Sequence, residues 1–373
     1  MGKIDELIKQ FCPDGVKSAK LGDICNILDS KRKPITKGKR IRGNCPYYGA
    51  NGIQDYVDGY LFDGIYLLLG EDGSVINNDK SPVLNWAVGK IWVNNHAHIL
   101  SEKKEDALLR YLYYALQTCD VSSIVRGTPP KINQANLRNI EIPLPPLAVQ
   151  KEIVEILDAF TGMIDNLQKE LEQRQKQFEH YRDQLLTFKE DECKYSKLAD
   201  VCEVINGRAY KQSELLSDGK YRVLRVGNFF SNDSWYYSNL ELDDKNYCQK
   251  GDLLYAWSAS FGPRIWKEEK VVFHYHIWKM ACSDGLDRVF FYYWLQSHDM
   301  ERQVSSGKHG ATMAHLTKKL MESLMIPVPS LETQQEIVDK LDTFEALISN
   351  IKQEIELRQK QYEYYREKLL TFE

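Results

Sequence analysis

Long apolar runs are missing from this sequence. No stretch approaches the roughly 18 to 20 consecutive apolar residues of a membrane helix, and the start, Met1 to Lys9, is charged where a secretory signal has an apolar core. The chain is therefore expected in the cytoplasm, with no membrane partner. Cys12, Cys25, Cys45, Cys119, Cys193, Cys202, Cys248 and Cys282 have no paired short spacing, which argues against a zinc knuckle or redox motif and leaves free buried thiols. An excess of positive charge is also missing. The net charge of -4 gives no support to a nucleic-acid partner, although local clustering of charge matters more than the sum. Catalytic signatures are scarce: there is no GxxxxGK[ST] phosphate loop, no GxSxG elbow and no Asn-Pro-Pro-aromatic motif for a flipped base. The GEDGS stretch, Gly70 to Ser74, has too few glycines for a dinucleotide fingerprint, and pairs such as Glu71 with Asp72 fit nuclease patterns too degenerate to carry weight. No catalytic residue, bound cofactor or metal is expected.

What is present is a repeat. The segment from Ile142 to Phe188 recurs without a gap from Ile326 to Phe372, with just over half its positions identical. Ile142, Pro143, Leu147, Gln150, Glu152, Ile153, Val154, Leu157 and Asp158 match Ile326, Pro327, Leu331, Gln334, Glu336, Ile337, Val338, Leu341 and Asp342. A weaker echo precedes each globular region, Lys20, Leu21, Asp23 and Cys25 resembling Lys197, Leu198, Asp200 and Cys202. The whole unit is duplicated. Residues 27–140 and 204–324 diverge, the pattern of one scaffold carrying two different working surfaces.

Each repeat reads as a long helix. Ile153, Leu157, Phe160, Ile164, Leu167 and Leu171, then Phe178, Tyr181 and Leu185, alternate steps of four and three, and the second copy keeps this seam from Ile337 to Leu369. Prolines at 143, 145 and 146, and at 327 and 329, end the preceding strand just ahead of each helix. A helix from near Val149 to Phe188 is about 60 Å long, a spacer. Arg174 and Arg358 are polar positions in the seam and are expected to set register and orientation. The helices are predicted to pair antiparallel within one chain, giving a pseudo-two-fold molecule; plain dimerisation is the alternative use of such a seam.

The domain plan is a leader at 1–19, a first domain at 20–143, a first spacer helix at 144–190, a second domain at 191–327 and a second spacer helix at 328–373. Both domains read as α+β. Ile65 to Leu69, Lys90 to Val93 and Val271 to Trp278 look like strands, and Asp106 to Leu116 and Asp287 to Gln296 like helices. The first domain gathers Lys31, Arg32, Lys33, Lys37, Lys39, Arg40 and Arg42 ahead of Tyr47, Tyr48, Gly49, Asn51 and Gly52. Basic groups attract phosphate, whereas Asn and Arg beside glycines reach base edges; a solvated charged face is the plainer reading. Thr128 and Lys131 follow in a flexible basic turn. In the second domain the candidates are Asn206, Arg208, Arg222, Arg225, Asn228, Ser258, Ser260 and Arg264, with Lys308 and Thr312 in the corresponding late turn. His96 with His98, and His274 with His276, are placed on strands with alternate residues sharing a face. A metal would want further ligands that are not evident, so hydrogen bonding is the preferred role.

The duplicated IPLPPLxxQxEIV and IPVPSLxxQxEIV segments, with YYGANGI from Tyr47 and Leu67 to Ser74 followed by Asn94, Asn95 and His96, resemble the specificity subunit of type I restriction-modification systems. The resemblance covers essentially the whole chain. It implies that each domain reads one half of a split double-stranded DNA target and that the helices set the gap and dock two methyltransferase subunits carrying S-adenosylmethionine. Motor-nuclease subunits would join that assembly, and the specificity subunit would hold no catalytic residue. A self-contained enzyme and a coiled-coil adaptor that binds only protein are the alternatives.

Overall fold

A computed structural model of the chain describes residues 2–103, 107–189, 191–258, 260–306 and 316–372. Two compact units emerge, Met1–Gln168 with Gln353–Glu373, and Lys169–Lys352. Each is α+β, and each holds part of both long helices.

In the first unit a six-stranded sheet runs in the order Cys25–Ile27, Ala97–Glu102, Phe62–Gly70, Leu84–Val93, Arg42–Gly49, Gly52–Val57. All neighbours are antiparallel except Leu84–Val93 with Arg42–Gly49. One face packs Leu67, Leu69 and Leu100 against the helix Leu109–Leu116, whose Tyr111, Leu112 and Leu116 are fully buried. The leader is no separate piece. It forms a helix, Gly2–Phe11, with Ile4 in the core, then a strand, Ser18–Lys20, that pairs with Glu141–Pro143 at the foot of the first spacer helix.

The second unit repeats the scaffold with a different insert. Lys194–Lys197 pairs with Met325–Val328, as Ser18–Lys20 pairs with Glu141–Pro143. The helix Arg288–Trp294 corresponds to Leu109–Leu116, its start capped by the Asp287 carboxylate, which accepts from the Val289 and Phe290 N–H groups. The strands split into two four-stranded sheets instead of one of six. The expected strand Val271 to Trp278 is interrupted: Val271–Phe273 and Ile277–Cys282 belong to different sheets, and the link between them turns at Tyr275 and His276. His276 therefore lies in a turn that His274 precedes, and His96 likewise sits in the turn before its strand, so neither pair shares a strand face.

The spacer helices are Leu147–Leu185 and Leu331–Thr371. In the first unit Phe160 stacks on Tyr365 with ring centroids 5.3 Å apart, and in the second Tyr181 stacks on Phe344 at 5.4 Å. Early residues of one helix meet late residues of the other in both units, so the pairing is antiparallel. Ile153, Leu157 and Ile164, and Ile337, Leu341 and Ile351, are buried along the seam. The arginines in the seam behave otherwise than expected. Arg174 bonds Glu170 and Gln177, and Arg358 bonds Glu354 and Gln361, each within its own helix. Across the seam each unit has a stacked aromatic pair joining the two helices, a contact suited to holding register.

One device joins helix to domain twice. Gln150 is fully buried; its Oε1 accepts from the Leu108 N–H at 2.9 Å and its Nε2 donates to the Pro145 carbonyl at 2.8 Å. Gln334 accepts from the Asp287 N–H at 2.7 Å and donates to the Pro329 and Gly285 carbonyls at 2.8 and 3.0 Å. The Tyr114 hydroxyl donates to Asp158, and the Tyr293 hydroxyl to Asp342 at 2.6 Å. These are repeat identities on the helix side, each bonded to its own domain.

Candidate nucleic-acid interface

The basic run of the first domain separates into two populations. Arg32 is built into the protein: its guanidinium bonds the Asp29 and Ala97 carbonyls and pairs with Glu71, its side chain only 14% exposed. Glu71 also pairs with Lys131 at 3.1 Å, and Asp29 accepts from Gln134 at 2.9 Å and the Ile99 N–H at 3.0 Å. His98, fully buried, lies between the Asp29 carboxylate at 2.6 Å and the Ile132 carbonyl at 2.8 Å. Burial pushes both carboxyls up, and the bonds they receive outweigh it and hold them below the ordinary carboxylate range. Asp29, Glu71 and His98 bring their ligand atoms within 4.8 Å of one another, as a metal would ask. A guanidinium and an ammonium already answer those charges, and the cluster stands complete as an ion-pair network. Arg32, and Lys131 in part, are corrected from interface to scaffold. Tyr48 is corrected too, since it is only 9% exposed in the core.

The second population faces solvent. Lys31, Lys33, Lys37 and Arg42 are exposed, and Asn51 sits at the tip between Arg42–Gly49 and Gly52–Val57. The turn needs Gly52, whose φ is +91° and whose added Cβ would meet the Asn85 side chain at 3.1 Å. Arg40 lies 4.3 Å over the Tyr47 ring and pairs with Asp55 at 3.0 Å. Together with Lys37, Arg42, Asn44, Asp55 and Tyr56 it lines an open cleft of about 640 Å³. Thr128 is exposed beside Gly127, in a turn closed by reciprocal backbone bonds between Arg126 and Lys131. Asn44 and Tyr56 were not among the expected residues. Only the strand pairing, which sets Arg42 opposite Val57 with an irregular register beyond it, brings them together.

In the second domain Arg208 is neutralised by Glu214 through two bonds of 2.9 and 2.8 Å, which with the Lys211 N–H lower the Glu214 pKa to about 2. Arg222 pairs with Glu268 at 3.0 Å, and Arg264 lies 5.3 Å over the Phe229 ring. Ser258 is buried, against expectation, whereas Ser260 across the same hairpin and Asn206 at a strand end are exposed. Lys308 and Thr312 lie outside the described residues. Arg225 and Asn228 meet at a cavity of about 310 Å³ completed by Asn232, Tyr236, His274 and His276. Asn228, in the short helix Val226–Phe230, holds the turn that follows it, its amide donating to the Asn232 and Ser234 carbonyls at 2.9 and 2.8 Å. The Ser-Asn-Asp-Ser run from Ser231 was a turn signal in the sequence, though not one that marks a site.

The family model described as the type I restriction modification DNA specificity domain matches residues 13–174 and again residues 190–357. The chain belongs to this family. A Haemophilus influenzae protein named as a type I restriction enzyme specificity subunit is 35% identical, the match covering 94% of each chain. The EcoR124I/EcoR124II specificity subunit of Escherichia coli is 27% identical over 86% of this chain and 89% of that one. Among solved structures, the type I restriction-modification S subunit of M. genitalium shares the fold, with a TM-score of 0.61 at 16% identity over 95% of this chain and 96% of that one. Among the described residues no helix is long and apolar enough to cross a membrane.

Proposed function

We propose that this chain is the DNA-reading subunit of a type I restriction-modification complex, each domain recognising one half of a bipartite duplex target while the paired helices set the gap. One observation carries the reading. The family's specificity domain occurs twice, with the same glutamine and aspartate bonds joining helix to domain, yet the exposed polar residues of the two domains differ. A duplicated scaffold with divergent surfaces suits two different half-sites. The helices also dock two methyltransferase subunits, which bring S-adenosylmethionine, and motor-nuclease subunits join that assembly; the chain itself performs no catalysis. Exposed Lys31, Lys33, Lys37 and Arg42 supply phosphate attraction, which positions the duplex without specifying it.

The test is selection from a randomised duplex library at near-physiological salt, with the purified chain alone and with its methyltransferase partner. Two short motifs at one fixed spacing are expected. Salt-sensitive retention with no motif, even with the partner, would leave phosphate attraction alone and return the chain to the adaptor alternative.

A further inference from the structure

Of the second domain's candidate arginines, Arg208 and Arg222 each face a carboxylate, and a cation so neutralised has little left for DNA, while Arg264 lies over Phe229 in a cleft that also holds Asp342 and Glu345. Arg225 differs. Among the described residues it has no carboxylate partner, and its guanidinium lies 5.1 Å over the Tyr236 ring. A cation–π contact of this kind restrains the guanidinium and favours a planar, bidentate contact over a loose point-charge one. The cavity it lines holds amides, hydroxyls and imidazoles but no acid. Burial first, then the nearby charges of His276 and Arg225, hold the His274 pKa down to about 4, so that ring is neutral at physiological pH, with one donor and one acceptor nitrogen. The pocket thus sets one arginine among amide, hydroxyl and imidazole groups with no carboxylate. An arginine fork beside amide and imidazole donors and acceptors is a composition suited to a base edge, where Arg and Asn make bidentate contacts.

We propose that this pocket reads a G·C pair in the half-site of the second domain, the Arg225 guanidinium donating to O6 and N7 of the guanine in the major groove. The assignment rests on the DNA-reading function proposed above. His274 and His276, absent from the charge-based candidates, form its wall.

The experiment repeats the library selection on the full chain with its methyltransferase partner, using wild type, Arg225→Ala and Arg225→Lys. For wild type, one half of the motif is expected to contain an invariant guanine. Both variants are expected to lose preference at that single position, by roughly 5- to 150-fold, with the other half-motif and the spacing unchanged. Lysine keeps the charge but not the fork, so its failure to restore guanine separates base reading from charge. A uniform loss across all sequences in Arg225→Ala, with the salt slope reduced by about 0.9 and full rescue by lysine, would make Arg225 a phosphate contact and overturn the assignment. Retention of the complete motif by both variants would overturn it as well, while leaving the DNA-reading function standing. A wild type that selects no bipartite motif would sink that function and this assignment together.

Discussion

Replacing Gln150 by leucine tests whether the repeated glutamine is what fastens each helix to its domain. Leucine is of similar volume, so no sizeable cavity opens, but the Leu108 N–H loses its acceptor and the Pro145 carbonyl its donor. The position is fully buried and water cannot replace the lost partners. Each orphaned buried polar group costs about 1–3 kcal/mol, and Leu108 is only partly buried, so the sum should fall at about 2–4 kcal/mol. For a unit of this size that corresponds to a fall in melting temperature on the order of 5–15 °C. Gln334→Leu strips three bonds and should cost at least as much in the second unit. Scanning calorimetry on the full chain, with the exposed Gln173→Leu as control, provides the measurement. A shift of Gln150→Leu no larger than that of Gln173→Leu would refute the argument that these bonds hold the junction.

Arg32→Met should destabilise the first unit by about 3–5 kcal/mol, because Asp29 and Glu71 would be left with buried charge and one fewer cation; unchanged urea stability with weakened DNA binding would return Arg32 to the interface. A double-mutant cycle of Phe160→Ala and Tyr365→Ala should show a coupling of about 0.5–1.5 kcal/mol from their stacked rings, and additive effects would remove them from the register argument. Tyr293→Phe should cost about 1 kcal/mol through its lost bond to Asp342, checked by denaturant titration. For His274, whose folded pKa of about 4 lies below its ordinary 6.5, the unfolded chain binds the extra proton between those values. Stability is therefore fully present above about pH 6.5 and declines as pH falls toward 4. His274→Gln should flatten that part of the urea-midpoint profile of the second unit, and an identical slope in the variant would contradict the assignment.

The sequence by itself determined the scaffold. Duplication, the heptad seam, the prolines before each helix and the Gln150 and Gln334 identities are local or periodic signals, and the backbone has few ways to satisfy them. The α+β class and antiparallel helices follow the same logic, because two copies of one seam in a single chain can cover each other. Tertiary structure decided which charges are available. Arg32 and Arg42 look alike in a basic run, yet one is answered by Asp29 and Glu71 and the other is exposed. The distinction depends on where the Glu71 loop returns, some forty residues along the chain. The pocket of Arg225 likewise joins the short helix Val226–Phe230 and the turn after it to a turn at 274–276 through the parallel pairing of Tyr221–Leu224 with Val271–Phe273, a register that no local pattern encodes. Periodicity states which side of a helix is buried, but the partner of a charged group depends on long-range closure, and closure is a property of the folded chain.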